Sequence, residues 1–230
     1  MQDDNKEIII ISLGGSLIIP NEINIEFLKE FKNLVLSHIE KGKKFVIITG
    51  GGKICRRYQD VAKQLSSPSN EDLDWIGIAS LKLNAELLRV VFGEYAYRKV
   101  ISNLSEEISF DRPIVIGSAH EPGHSTDCDA IEGAKTVGAK KIINITNTDY
   151  VYDSDPKINP NAKKIEKISW AEYRNLIPKE WNPGLNSPFD PIASKLAEDN
   201  GIEVAIMNGK PIDNLAHYLN GEKFLGTVIQ

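Results

Sequence analysis

The chain has 230 residues, 41% of them hydrophobic, and a formal net charge of −5. That length buries a large core, as one α/β domain or as two lobes sharing a sheet, and the acidic balance argues against general nucleic-acid binding while leaving room for a small anion held by local donors. No run of 18 apolar residues predicts a membrane span, the acidic start MQDDNKE lacks an apolar signal core, and two isolated cysteines, Cys55 and Cys128, suggest neither a zinc site nor a disulfide scaffold, so a reducing cytoplasm is the expected setting.

Residues 7–13, EIIIISL, read as a buried strand running into Gly14-Gly15-Ser16, a turn whose glycines let the backbone approach a ligand closely. An apolar stripe of Ile23, Phe27, Leu28, Phe31, Leu34, Val35 and Ile39 predicts a helix over 24–41, ended by Gly42. The second strand, KFVIIT at 44–49, meets Gly50-Gly51-Gly52-Lys53. A plain turn rarely needs three glycines, whereas close backbone contact with a polyanion does. The helix after them sets Lys53 and Arg56 one turn apart, both able to face the loop, and is expected to bury Ile54, Tyr58, Val61 and Leu65. SSPSN at 66–70 reads as a loop. A longer helix over 71–91 turns Leu73, Ile76, Leu81, Leu88 and Val91 inward. Asp74, near its start, either serves the helix dipole or accepts hydrogen bonds from ribose hydroxyls. A short strand at 99–101 and an acidic connection at 102–112 follow.

The stretch PIVIGSAHEPGHSTD, residues 113–127, carries the strongest local signal. A buried strand at 114–116 enters a loop with many hydroxyls and backbone donors (Gly117, Ser118, Pro122, Gly123, Ser125, Thr126). A helix then starts at the capping-box pair Thr126 and Asp129, with Cys128, Ala130, Ile131, Ala134 and Val137 near helical spacing and Gly138 as its stop. Strand, polar glycine loop and helix start together make a phosphate-binding arrangement. Another strand, KKIINIT at 140–146, leads into the polar, aromatic loop NTDYVYDSDP, which suits a ring-bearing ligand. Ser169 and Glu172 repeat the capping-box spacing. Residues 178–188, rich in proline, are expected to be irregular. Asp190-Pro191 opens a helix with Ile192, Ala193, Leu196 and Ala197 inward and Lys195 one turn in, able to reach out from the helix start. A strand at 203–207, a helix around Leu215, Tyr218 and Leu219, and the closing GTVI complete the chain.

Strands alternating with helices predict an α/β protein with a mainly parallel sheet, and each of the first three strands ends in a glycine-rich loop. In an open parallel sheet such loops gather at one edge, so the pattern points to two phosphorylated ligands facing each other. Neither GxxxxGK[ST] nor GxGxxG is present.

Taken in order, ISLGGS at 11–16, TGGGK with Arg56, EPGHSTD at 121–127, ITNTDYVYDSDP at 145–156 and SPFDPIASKL at 187–196 resemble the amino acid kinase superfamily, and within it the archaeal-type uridylate (UMP) kinase branch. The resemblance runs over nearly the whole chain, and PGHSTD followed by TNTDxVYxxDP is its specific part. It implies a three-layer sandwich around one continuous, mainly parallel sheet, with a UMP-binding lobe in residues 1–138 and an ATP-binding lobe in 139–230. It implies ATP-dependent phosphorylation of UMP to UDP with Mg2+, usually by a homohexamer. Gly14, Gly15 and Ser16 would meet the transferring phosphoryl group. Gly52, Arg56, Thr146, Tyr152 and Asp155 would complete the ATP site. Gly51, Asp74, His120, Glu121, Pro122, Gly123, His124, Ser125 and Thr126 would hold UMP.

Three departures stand out. Ser12 occupies the position where many family members carry a lysine, leaving Lys195, Lys53 and Arg56 as candidates for the cation that phosphoryl transfer calls for. Tyr150 replaces a common glycine. The loop GSAHEPGH is one residue longer than usual and has Ser118 for a glycine. Asp127 either orients a lysine or a magnesium-bound water or is a plain helix-terminus acid; His124 either touches the ligand or is held by backbone groups. The competing functions are a related kinase for another acceptor, such as isopentenyl phosphate or a carboxylate, and a non-catalytic nucleotide- or oxyanion-binding protein.

Overall fold

A computed structural model describes residues 7–181 and 187–230. Its strands are β1 (Ile8–Leu13), β2 (Lys44–Thr49), β3 (Ile114–Gly117), β4 (Lys141–Thr146), β5 (Val151–Tyr152), β6 (Lys164–Ile165), β7 (Lys167–Ile168), β8 (Glu203–Asn208) and β9 (Thr227–Ile229). Its helices are α1 (Gly15–Ile18), α2 (Ile25–Glu40), α3 (Gly52–Leu65), α4 (Asn70–Phe92), α5 (Thr126–Val137), α6 (Trp170–Tyr173), α7 (Pro191–Asp199) and α8 (Asp213–Leu219). One sheet runs in the order β3-β2-β1-β4-β8-β9-β7. The first five strands in that order are mutually parallel, so their C-terminal ends share one edge. β9 runs antiparallel to β8, and β5 with β6 forms a separate two-stranded hairpin.

Alternation along the strands divides the core in two. Ile11 and Leu13 of β1 and Ile143 and Ile145 of β4 face one layer, built with Phe27, Phe31 and Val35 of α2, Leu88 and Phe92 of α4, and Leu215 of α8. Ile10 and Ile142 face the other, built with Ile131 and Ala134 of α5, Trp170 and Tyr173 of α6, and Ala193 and Ala197 of α7. Both faces of the sheet are covered, which is why its strands are apolar runs rather than alternating ones. The three-layer α/β sandwich expected from the sequence is the observed architecture.

The helix expected after Gly52 forms, but of its apolar stripe only Ile54 packs partly buried against the core and the rest faces outward. Tyr58 is 63% exposed, Val61 53% and Leu65 82%. The side of α3 that meets α4 is made of small and polar residues. Gln59 is buried and donates from Nε2 to Leu73 O at 2.9 Å. α7 likewise turns Ile192 outward and buries Pro191, Ala193, Ser194 and Ala197, with Leu196 only partly covered. The strand expected at 99–101 reduces to single bridges, Ala96 to Ile114 and Ile101 to Gly117. α4 starts with a capping box of Ser69 and Asp72, two residues that read as loop and first turn in the sequence. Part of the irregular 178–188 stretch lies outside the described residues.

Candidate active site

The C-terminal ends of β1 and β2 lie side by side, with Leu13 in register with Thr49. The turns that follow, Gly14-Gly15 and Gly50-Gly51-Gly52, therefore meet backbone to backbone. A Cβ on Gly15 would stand 2.3 Å from Gly52 N and 2.4 Å from Gly50 O, closer than any side chain tolerates. Gly52 has φ +69°, a left-handed conformation suited to glycine. α1 and α3 begin at these two turns, and neither start is capped by a side chain. The starts of α2, α4, α5, α6 and α7 are capped, by Asn24, Ser69, Ser125, Ser169 and Asp190. First-turn N–H groups have no acceptor within their own helix, so the two glycine turns present open donors toward shared space. The N–H groups of Gly14, Leu17 and Lys53 are not among them: Gly14 donates to Ile145 O of β4 at 2.8 Å, Leu17 to Gly14 O at 2.9 Å and Lys53 to Ile19 O at 3.4 Å, which leaves those of Gly15, Ser16, Gly51 and Gly52. Asn84 of α4 steadies the second turn, donating from Nδ2 to Gly50 O at 2.8 Å and Gly51 O at 3.3 Å.

The third loop differs from its sequence reading at the start of α5. The cap of α5 is Ser125, whose hydroxyl accepts from Asp127 N at 3.2 Å, not Thr126 with Asp129. Ser125 has the extended backbone a cap requires, and it comes one residue earlier. Its own N–H donates to Asp190 Oδ2 at 3.3 Å. A carboxylate of the protein thus already occupies one donor an outside anion would use.

Asp127 and Asp190 are the centre of this arrangement. Register explains it: Ser12 of β1 pairs with Asn144 of β4, and both lie on the sheet face against α5. Asp127 Oδ1 accepts from Ser12 Oγ at 3.2 Å and from Asn144 Nδ2 at 3.3 Å, and its Oδ2 accepts from Asp190 N at 3.0 Å. Asp190 Oδ1 in turn accepts from Ile192 N at 2.5 Å and Ala193 N at 2.9 Å at the start of α7. Burial, and next the charge of Asp190, push the Asp127 carboxyl up to about 7. Ser12 supplies a hydroxyl where a lysine would supply a charge.

Asp74 and the 120–126 loop come together. Gly123 N–H donates to Asp74 Oδ2 at 2.9 Å, and burial is the main cause of a raised Asp74 carboxyl. His124 Nδ1 donates to Ser125 O at 3.1 Å, and the Nε2 atoms of His120 and His124 each lie 3.8 Å from Glu121. A cavity of about 330 Å³ opens beside this loop, lined by His120, Glu121, Gly123, His124, Asp129 and Glu132 among others; Pro122 and Thr126 do not line it. Asp129 Oδ2 is buried there without a hydrogen-bond partner, and burial pushes its carboxyl up to about 7. A larger cavity, about 390 Å³, lies among Glu7, Ile8, Lys140 and Lys141 at the N-terminal ends of β1 and β4, away from the glycine turns.

On the other side of β1, Thr146 ends β4 and accepts at its carbonyl from Gly209 N at 3.0 Å. Tyr150 is buried at 8% exposure, with Lys164 over its ring at 4.9 Å and Tyr152 edge-on at 6.3 Å. No described non-glycine residue has a positive φ, so a tyrosine fits at 150 without strain. Asp155 organises the turn after β5, accepting from Lys157 N at 2.9 Å. Lys195 does not reach the start of α7. Its ammonium is exposed and lies 2.5 Å from Asp199 and 3.5 Å from Glu198, toward the end of the helix, because those acids are its i+4 and i+3 neighbours. Lys53 Nζ donates to Asn21 Oδ1, and Arg56 is exposed on α3.

The sequence model of the Amino acid kinase family matches residues 7–208. The chain belongs to the amino acid kinase family. Among relatives of this kinase, the uridylate kinase of Pyrococcus abyssi is 34% identical over 227 residues, covering 96% of the chain and 99% of its own length. That of Methanocaldococcus jannaschii is 32% identical over 229 residues, with 96% and 99% covered. The crystal structure of uridylate kinase from Archaeoglobus fulgidus superposes with a TM-score of 0.81 at 33% identity, covering 97% of this chain and all of that one. A UMP kinase from Bacillus anthracis, 22% identical with a TM-score of 0.79, shares the fold, covering 97% of this chain and 96% of its own.

Two outcomes follow from the geometry. Gly15→Ala should lower the phosphoryl-transfer rate by about a hundredfold or more, since the added Cβ must push the two turns apart; initial-rate assays at saturating substrate measure it. The second concerns pH. A carboxyl whose folded pKa of about 7 exceeds its ordinary 3.8 stabilises most below pH 4, and that contribution is lost as pH rises through 7. Asp127→Asn stays neutral, so its thermal midpoint should fall less steeply than that of the parent between pH 5 and 8.

Proposed function

We propose that this kinase transfers the γ-phosphoryl group of ATP to UMP, giving UDP and ADP. The observation that carries the reading is the pair of uncapped helix starts meeting at Gly15 and Gly52. Two neighbouring sets of open N–H donors suit two phosphates placed end to end. An ionised oxygen of the UMP phosphate attacks the γ-phosphorus in line, and the bond to the β-phosphate oxygen breaks. The attacking oxygen is already a good nucleophile, so no general base is needed; positioning and charge neutralisation do the catalysis.

In this reading Gly15 and Ser16 hold the transferring group, with Gly14 shaping their turn. Gly52, Arg56, Thr146, Tyr152 and Asp155 serve ATP. Gly51, Asp74 and residues 120–126 serve UMP, with Asp74 exchanging its bond from Gly123 for the ribose hydroxyls. Residues 1–138 act as the acceptor lobe and 139–230 as the ATP lobe. Asp127 ties Ser12 to Asn144 and to α7 across that boundary, so its role is to position. Mg2+ is proposed to arrive with ATP, and when bound it would supply positive charge that eases the approach of one phosphate to another. Among the described residues no group of three or more His, Cys, Asp or Glu is placed to hold a metal. The Asp127 and Asp190 carboxylates already accept N–H and O–H donors, so phosphates and water would hold the ion. No described helix is long and apolar enough to cross a membrane, and we place the enzyme in the cytoplasm, in pyrimidine nucleotide synthesis.

The outward stripe of α3 supports a homo-oligomer, up to the hexamer usual in the family. Tyr58, Val61 and Leu65 form an apolar surface on consecutive turns that nothing among the described residues covers.

Two measurements test these proposals. In a coupled assay with ATP and each of UMP, CMP and AMP, UMP should be strongly preferred, and Asp74→Asn should raise the KM for UMP about tenfold by weakening charge-assisted hydrogen bonds. A preference for another acceptor defeats the assignment. For assembly, Val61→Glu with Leu65→Glu should reduce the mass seen by sedimentation velocity, and an unchanged mass places the interface elsewhere.

A further inference from the structure

The reaction needs positive charge beside the transferring phosphoryl group, and Ser12 does not supply it. Lys195 is tied to Asp199 and Glu198, and Lys53 to Asn21. Arg56 stands on α3, beyond the second glycine turn rather than on the β4 side of the first. The loop after β8 offers another cation. Lys210 is the one lysine or arginine within three residues of the C-terminal end of any of the five parallel strands.

That loop is firmly placed. Gly209 N–H donates to Thr146 O at 3.0 Å, Lys210 N–H donates to Asn208 Oδ1 at 3.0 Å, and Asn208 Nδ2 donates to Asp149 Oδ1 at 2.8 Å. A Cβ on Gly209 would stand 2.5 Å from Leu17 Cδ1 and 2.9 Å from Ile145 Cγ2. Leu17 belongs to α1, two residues beyond Gly15. The backbone before Lys210 is therefore pressed against the one-turn helix whose open start faces Gly52, next to Thr146. Lys210 is exposed, and its ammonium has no carboxylate within 4.0 Å among the described residues.

We propose that Lys210 binds the β- or γ-phosphate of ATP from the β8 side and supplies the charge that β1 lacks at Ser12. The inference rests on the reading that ATP phosphates lie at Gly15 and Ser16. Lysine serves here as a mobile point charge on a fixed loop, able to follow the phosphoryl group as charge moves onto the leaving ADP.

The experiment compares the affinities of ATP and AMP, titrated separately by calorimetry with Mg2+ present and without acceptor, for the parent, Lys210→Ala and Lys210→Arg. A charge-assisted phosphate contact predicts that Lys210→Ala weakens ATP about tenfold or more, changes AMP by less than about twofold, and that Lys210→Arg restores most of the loss. Turnover of UMP should fall with the same ranking. The thermal midpoint should not move, because the side chain is exposed and unpaired. An unchanged ratio of ATP to AMP affinity in Lys210→Ala overturns the proposal, whether both stay the same or both weaken equally. The outcome is separable from the function itself. Should no UMP be turned over by the parent, the kinase reading fails while the ATP-to-AMP ratio still decides Lys210. Should the parent phosphorylate UMP and Lys210→Ala keep its ratio, only this inference fails.

Discussion

The site rests on a contact between two pieces of backbone. β1 and β2 are neighbours in a parallel sheet, so the turns leaving them emerge side by side. Only because Gly15 and Gly52 lack side chains do those turns touch, with the position of a Cβ on Gly15 lying 2.3 Å from Gly52 N. The contact brings two uncapped helix starts together, and their unpaired N–H groups share one region of space. In the proposed function, a phosphate at one start would face a phosphate at the other. Backbone donors suit this task because the fold holds them in place, with no side-chain freedom to lose on binding.

Behind that contact stands a polar core built from two acids. Asp127 and Asp190 are neighbours whose oxygens take neutral donors from β1, β4 and the start of α7. Neutral donors stabilise a buried carboxylate less than a lysine would, which is why burial and the second acid raise Asp127 so far. The arrangement links elements on both sides of the sheet's centre, so the distance between the glycine turns and the β4 loop is set by hydrogen bonds rather than by apolar packing alone. It also separates two tasks that one lysine on β1 would combine: bridging to Asp127 and meeting the phosphate.

α3 shows a different division of labour. The glycine turn sets its start, and its contact with α4 is made by Gln59 and by small residues near Gly77 and Gly51. The large apolar residues Tyr58, Val61 and Leu65 are left at the surface.

Much of this was legible in the residues themselves. Apolar runs marked β1, β2, β3, β4 and β8 almost to the residue, the first three of them leading into glycine-rich loops, because a strand buried on both faces has few other ways to be written. The capping residues Ser169 and Asp190 announced their helices for a similar reason, since a cap is chemistry between neighbours in the chain. The order of the glycine, PGHSTD and DYVY motifs was enough to resemble a family. Tertiary structure alone decided the rest. A period of 3.6 says that α3 has an apolar side but not that the rest of the described residues leave that side bare. Lys195 sat at a helix start by number, yet two acids one turn further on claim its ammonium. The N–H of Gly14 is engaged by Ile145, more than a hundred residues away, and the loop that carries Lys210 meets α1 only through the packing of Gly209 against Leu17. Local sequence sets which groups a segment offers; only the packing of distant segments determines which of those groups are already taken.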